Sequence, residues 1–291
     1  MNLLICSDGT PSSDYAVQVA SFIAGPSKAT TTLLGISERP VDKDSLRHAL
    51  ASETALLRGV GVEPILEMRE GDPVTEIVAA THGKNFDLIV VGGRKTAPTG
   101  FYWRSEKMYD LVKALDAPVL AAIGTCEKLR SFIVCTGGKS YIEPAVMLTG
   151  KLAAALSASV TLLHVMAEPP AMYADLVAME EDVDQLLGSS SELGRNLLHQ
   201  KQELEKLGVK TSVRIRHGLV VDEVFKEIAE GAHDLVVTGS SRLSGTLRHY
   251  IMGDVTRRIL NHAELPVLVA RSDISAGKPG GFFARWFGAR Y

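Results

Sequence analysis

Two glycine-containing segments in the second half of the chain have the residue types that could bind a phosphate group. Thr136-Gly137-Gly138 follows one apolar run, and a loop predicted from Gly239 to Gly253 follows another. A glycine beside the start of a helix has no β-carbon, so a phosphate can approach the backbone N–H groups there closely. The candidate binding residues are Thr136, Gly137, Gly138, Gly239, Ser240, Arg242, Gly253 and Asp254.

The elements that must position these residues are short, unbroken runs rich in Val, Ile and Leu. Such runs are typical of parallel strands covered on both faces, and the helical patterns between them indicate right-handed β-α-β crossovers. Ligands of such sheets bind beyond the carboxyl ends of the strands, here after the first and fourth. We predict strands near 2–6, 31–36, 63–68, 87–91 and 118–123, and again near 131–135, 159–165, 209–215, 234–238 and 266–270.

An internal repeat divides the chain into two copies of one unit. Leu4–Gly9 matches Ile133–Gly138, and Asp87–Gly92 matches Asp234–Gly239. We therefore predict an α/β protein with two tandem, doubly wound, parallel five-stranded sheets. The predicted domains are 1–124 and 131–271, followed by a flexible tail over 272–291. The segment between the domains is too short for a flexible spacer, so the halves should pack together.

The second copy carries an insertion in its second helix. Matching residues differ in number by 129 at Cys6 and Cys135 but by 148 at Pro118 and Pro266, which leaves 19 extra residues. The spacing of the leucines after residue 185 predicts a longer or broken helix. Gly188-Ser189-Ser190-Ser191 is the expected break.

Composition excludes several classes of protein. The net charge of -3 and the pI of about 6.3 give no reason to expect nucleic acid as a partner. No apolar run approaches the roughly 18 residues of a membrane span, and no leader precedes the first strand, so we expect a cytoplasmic protein. The three cysteines lack metal-ligand spacing, and His164 and His217 are interpreted as structural histidines at strand ends.

The chain resembles the universal stress protein family over nearly all of residues 1–271. The resemblance lies in the repeat order, in the Asp-Leu-(Ile/Val)-Val-x-x-Gly strand and in the final Pro-Val-Leu strand. Nucleotide-binding members carry G-x-x-G-x9-G-(S/T) in the loop after the fourth strand. The resemblance therefore implies that ATP or AMP is bound at the candidate residues, in a sensing module that acts through unknown protein partners and is not an enzyme.

The sequence departs from the family pattern at the positions nearest the phosphates. Arg242 replaces the second glycine, Gly253 comes one residue late, and Asp254 replaces the hydroxyl residue. We expect the Asp254 carboxylate to cap the following helix and to repel phosphate. Nucleotide-binding members also carry an Asp in the turn after the first strand. The first copy keeps this residue as Asp8 but has Ser105 at the glycine position, so we place the site in the second copy.

Other interpretations stay open at this point. The chain could be a scaffold without a nucleotide, or an enzyme that acts through an adenylate, because Thr136–Ser140 resembles the S-G-G-x-D-S loop of ATP pyrophosphatases without its Asp. The resemblance to the universal stress protein family also implies an intramolecular pseudo-dimer that pairs the strands near 118–123 and 266–270. A homodimer is a further option. The basic and aromatic tail could contact a membrane surface or a partner, or fold back on its own domain.

Overall fold

A computed structural model describes residues 1–39, 42–93, 105–139, 142–167, 183–242, 250–251 and 253–272. Its strands are β1 (Asn2–Ser7), β2 (Thr30–Ser37), β3 (Ile65–Glu70), β4 (Leu88–Gly92), β5 (Val119–Ala122), β6 (Ser131–Cys135), β7 (Ser159–Met166), β8 (Thr211–His217), β9 (Leu235–Arg242), β10 (Tyr250–Ile251) and β11 (Val267–Ser272). Its helices are α1 (Pro11–Ser27), α2 (Lys43–Gly59), α3 (Pro73–Thr81), α4 (Ser105–Ala114), α5 (Glu143–Leu156), α6 (Val183–Gly188), α7 (Glu192–Lys206), α8 (Val220–Gly231) and α9 (Asp254–His262).

The strands form one sheet in the order β3-β2-β1-β4-β5-β11-β9-β6-β7-β8, with β10 paired to β9. Each half has the same parallel order, which confirms the predicted doubly wound topology. The halves meet through an antiparallel pair in which Val119, Leu120 and Ala121 of β5 face Val269, Leu268 and Val267 of β11. The predicted pairing of these two strands is therefore confirmed, and it joins the two sheets into one.

Helices cover both faces of this sheet, which explains the unbroken apolar strands. In β1, Leu3 and Ile5 belong to the core cluster under α1 and α5, whereas Leu4 belongs to the cluster on the opposite face. All three side chains are fully buried. Alternate residues of one strand thus lie in two different cores, so no position can be polar without loss of burial free energy.

The tight junction between the halves depends on Arg271 and Gly124. Arg271 is only 5% exposed, and its Nε donates to the carbonyl of Ala117 at 3.0 Å. Its guanidinium also donates to the carbonyl of Val112, so a side chain of the second half satisfies two carbonyls of the first. A β-carbon on Gly124 would lie 1.9 Å from the carbonyl oxygen of Glu264, so only glycine fits where the linker passes.

The insertion is a broken helix, as predicted. Helices α6 and α7 are separated by Ser189–Ser191, and the Ser191 side chain accepts a hydrogen bond from the N–H of Gly194 as the N-cap of α7. The third strand of each half begins two residues later than predicted. For β3 the reason is Pro64, which has no N–H to donate to the sheet.

None of the described helices combines the length and the apolar character that a membrane span requires. The predicted contacts of the C-terminal tail involve residues after Ser272, which lie outside the described residues.

Candidate functional site

A cavity of about 310 Å³ lies at the carboxyl ends of β6, β7 and β9, where the strand order of the second half reverses. We call it the second cleft. Its wall contains four of the eight predicted site residues, Thr136, Gly137, Gly239 and Gly253. Its volume is at the lower end of the range for small-molecule sites.

Strand β9 extends further than predicted, and this changes the position of Ser240 and Arg242. Both residues belong to the strand and not to a loop. The Ser240 hydroxyl is buried at the junction, where it donates to the carbonyl of Ala270 and accepts from Arg271. The structure therefore does not bring Ser240 to the cleft, because successive residues of a strand point to opposite faces. The Arg242 side chain lies outside the described residues.

The start of α9 also differs from the prediction, which made Asp254 the cap of the helix. The N-cap is Gly253, and among the described residues no side chain caps this end. Asp254 is already the first helical residue, from which a side chain does not reach back to the first N–H groups as a cap does. Asp254 is exposed and lies outside the described cleft wall. The helix thus directs N–H groups without a side-chain cap toward a cleft wall that includes Gly253.

One face of helix α7, the counterpart of α2, holds the loop after β6. The side chain of Asn196 donates to the carbonyl of Gly138 at 2.8 Å, and Gln200 accepts from the Thr136 hydroxyl at 3.1 Å. Gly138 has φ of +66°, and a β-carbon there would lie 2.2 Å from the Leu193 side chain. Gly138 is therefore required by backbone conformation and by packing, and it lies beneath α7 instead of in the cleft wall.

Most polar groups of the cleft wall already have protein partners. The hydroxyls of Thr238 and Thr256 lie 2.7 Å apart, and Thr256 also donates to the carbonyl of Gly239. The wall residues within the described ranges include no carboxylate. Desolvation raises the pKa of the Cys135 thiol to about 12, so this group stays protonated at neutral pH.

His164, interpreted from sequence as a structural histidine, is part of the cleft wall. It lies near the end of β7, and its Nδ1 is 2.8 Å from the carbonyl oxygen of Thr136. The ring is half-buried. The sequence placed His164 at the end of a strand that borders the switch point, which is a signal for a cleft residue. No motif around His164 strengthened that signal.

The corresponding cavity of the first half, which we call the first cleft, has a volume of only about 10 Å³. The start of α1 closes it, since a β-carbon on Gly92 would lie 2.5 Å from the carbonyl oxygen of Ser12. Asp8, the carboxylate that the family resemblance assigns to nucleotide binding, accepts at Oδ1 from the N–H and the hydroxyl of Thr10. The first cleft therefore has room for about one water molecule.

The loop after β1 is held by a buried carboxylate. The Ser7 hydroxyl donates to Glu53 Oε1 at 2.7 Å. In the second half, Thr136 corresponds to Ser7 and Gln200 corresponds to Glu53. Glu53 is 3% exposed. Burial raises the pKa of this carboxyl to about 7, an effect that the Ser7 hydrogen bond opposes and nearby Asp14 reinforces.

Comparison with known proteins gives one family and a set of similar folds. The sequence model described as the universal stress protein family matches residues 1–121 and 128–271. The structure of a universal stress protein from Archaeoglobus fulgidus DSM 4304 aligns with a TM-score of 0.62 at 15% identity, covering 93% of this chain and 98% of that one. A functionally unknown protein from Pseudomonas aeruginosa PAO1 aligns with a TM-score of 0.62 at 16% identity, covering 93% and 92%. No curated protein matches the chain.

Proposed function

Because the chain belongs to the universal stress protein family, we propose that its second cleft binds an adenine nucleotide, ATP or AMP. In this proposal the protein is a sensing module of the stress response that acts through protein partners. Nucleotide binding changes the population of a binding-competent surface, and catalysis is not required.

The observation that carries the proposal is the meeting of Gly253 and the start of α9 with an open cavity. A phosphate next to Gly253 can accept hydrogen bonds from the first N–H groups of α9, whose partial positive charge favours an anion. The remaining cavity, bordered by Val165, Val220 and Val224, offers an apolar surface for a purine ring. The proposed site thus has a polar end and an apolar end.

Asp254 sets the expected strength of binding. Its carboxylate lies in the first turn of α9, close to the proposed phosphate position, and repels additional phosphates. We expect a Kd on the order of 1 μM for AMP, about -8 kcal/mol, and weaker binding of ATP. The protonated thiol of Cys135 and the absence of a carboxylate from the described wall support retention of the nucleotide over hydrolysis.

Mass spectrometry of small molecules released from freshly purified protein tests this proposal, followed by calorimetric titration of the emptied protein with AMP and ATP. We expect a retained adenine nucleotide and saturable binding with one site per chain. A protein that carries no nucleotide and gives no binding heat with either ligand contradicts the proposal.

A scaffold that acts only through its surfaces is the second candidate, and the edge of the sheet in the first half favours it. On β3 the side chains of Ile65 and Leu66 are 55% and 52% exposed, although both are large and apolar. The opposite edge strand, β8, instead exposes polar Ser212 and Arg214. An exposed apolar edge strand is typical of a binding surface. Partner capture that is lost in Leu66→Lys, from a chain that binds no nucleotide, would favour this candidate.

A further inference from the structure

His164 has one ring nitrogen fixed by the protein and one available to a ligand. Nδ1 lies 2.8 Å from the carbonyl oxygen of Thr136, and a carbonyl oxygen only accepts hydrogen bonds. Nδ1 therefore carries the hydrogen, and in the neutral ring Nε2 is a hydrogen-bond acceptor. Within the described part of the chain, Nε2 has no hydrogen-bond partner.

The position of His164 in the sheet places it away from the phosphate end of the second cleft. Strand order puts β7 two strands from β9, and neighbouring strands are about 4.8 Å apart, so the ends of β7 and β9 are separated by roughly 10 Å. Helix α9 starts on the β9 side. A ligand whose phosphate binds at Gly253 would therefore extend its base toward β7.

The first half has no counterpart to this histidine. The equivalent position in β2 is Gly35, where a β-carbon would lie 2.6 Å from the Leu50 side chain. The acceptor nitrogen is thus specific to the half that has the open cleft. The described wall of this cleft contains no other side-chain nitrogen.

We infer that Nε2 of His164 accepts a hydrogen bond from the exocyclic 6-amino group of a purine and makes the second cleft selective for 6-aminopurine nucleotides. This inference rests on the proposed function, and it adds the residue that reads the base. A purine without that amino group leaves Nε2 desolvated and without a donor, which costs affinity.

The test compares AMP with purine riboside 5′-monophosphate, which differs from AMP only in lacking the 6-amino group. Wild-type protein should bind AMP about 10-fold more tightly in calorimetric titrations, since one hydrogen bond contributes about 1 kcal/mol or slightly more. His164→Asn can still donate to the carbonyl of Thr136 but has no atom at the Nε2 position. This variant should bind both nucleotides equally, with the affinity that wild type has for the analogue.

His199→Asn is the matched control, because His199 is an exposed residue of α7 and should leave the AMP preference unchanged. Equal binding of AMP and the analogue by wild type overturns the inference and leaves the proposed function intact. Retention of the AMP preference by His164→Asn also overturns it. If wild type binds neither nucleotide, the proposed function fails and the inference fails with it.

Discussion

The first and second clefts lie at equivalent points of the same topology, yet their volumes are about 10 and 310 Å³. The start of the following helix differs between them. Helix α1 begins at Pro11, whereas α5 begins at Glu143, which is equivalent to Asp14 and therefore almost one turn later. Proline is favoured in the first turn of a helix, where its missing N–H needs no partner, and Pro11 and Pro144 occupy such positions in α1 and α5. The early start of α1 brings Ser12 against Gly92 and closes the first cleft.

Topology alone therefore does not determine whether the crevice at the strand ends can hold a ligand. In the first half, the first turn of α1 fills the space above the strand ends.

Gly253→Val should abolish nucleotide binding by the second cleft. The glycine has φ of -62°, and a β-carbon there would meet no described atom within 4 Å, so valine can be accommodated by the fold and would occupy the cavity. Calorimetric titration with AMP measures the loss. Gly59→Val is the control, since it also faces open space but lies at the end of α2, away from both clefts. Wild-type affinity in Gly253→Val would move the site elsewhere.

Gly138→Ala should destabilise the second half by about 2 to 4 kcal/mol. The left-handed backbone conformation costs an alanine about 1 kcal/mol, and overlap with Leu193 adds about 1 to 3 kcal/mol. Gly208→Ala separates the two contributions, because Gly208 has φ of +77° but open space around it. Urea unfolding of both variants gives the comparison. Equal losses would mean that α7 does not constrain the loop after β6.

Glu53→Gln should remove a pH dependence of the free energy of unfolding that comes from the first half, since the second half has uncharged Gln200 at this position. The folded protein raises the pKa of Glu53 from 4.5 to about 7, so it binds this proton more tightly than the unfolded chain does. The contribution of Glu53 to the free energy of unfolding is fully present below pH 4.5 and is lost as the pH rises to about 7. The total loss is about 1 to 3 kcal/mol. The variant should lack this loss and keep the Ser7 hydrogen bond.

Urea unfolding at pH 5 and pH 8 measures this difference for wild type and for Glu53→Gln. The reciprocal change, Gln200→Glu, should introduce the same loss into the second half, where Gln200 is 1% exposed. Identical pH dependence in wild type and Glu53→Gln would refute the assignment.

Asp254→Ser should tighten ATP binding about 2- to 5-fold. Removing one negative charge from the first turn of a helix changes the free energy of a bound anion by about 0.3 to 1 kcal/mol. The gain should be smaller for AMP, which carries fewer phosphates. Titrations at two salt concentrations check the electrostatic origin, because salt screens the effect. An unchanged ATP affinity would place the phosphates away from α9.

Most of the fold could be predicted because strands that are buried on both faces are predominantly apolar. The runs around Leu4 and Ile133 therefore identified strands and the repeat at once, and the break at Ser189–Ser191 followed from its composition. The predicted loop after β9 was partly wrong. Gly239 and Ser240 have low strand propensity, yet pairing with Ala270 and Arg271 of β11 keeps them in the sheet.

The site could be predicted only where a backbone feature has a sequence signature. Gly137 and Gly253, chosen because glycine is the signal for a close approach, lie in the cleft wall, and their part in binding stays a prediction. The contacts of Asn196 and Gln200 with the loop after β6 were missed, because they join segments about 60 residues apart and depend on the packing of α7. The spacing of the leucines predicted the helix, but it did not indicate which residues the polar side chains of that helix would contact.

The antiparallel pair of β5 and β11 lets the two halves diverge in sequence while they stay joined in one sheet. The linker over 123–130 tethers two sheet edges that would otherwise meet by diffusion, and short tethers give effective concentrations in the millimolar range. Pairing within the chain is therefore independent of how much protein is present. A half that loses its own cleft still completes the sheet of its neighbour. The fusion thus frees one half to become a permanent structural subunit while the other keeps an open crevice.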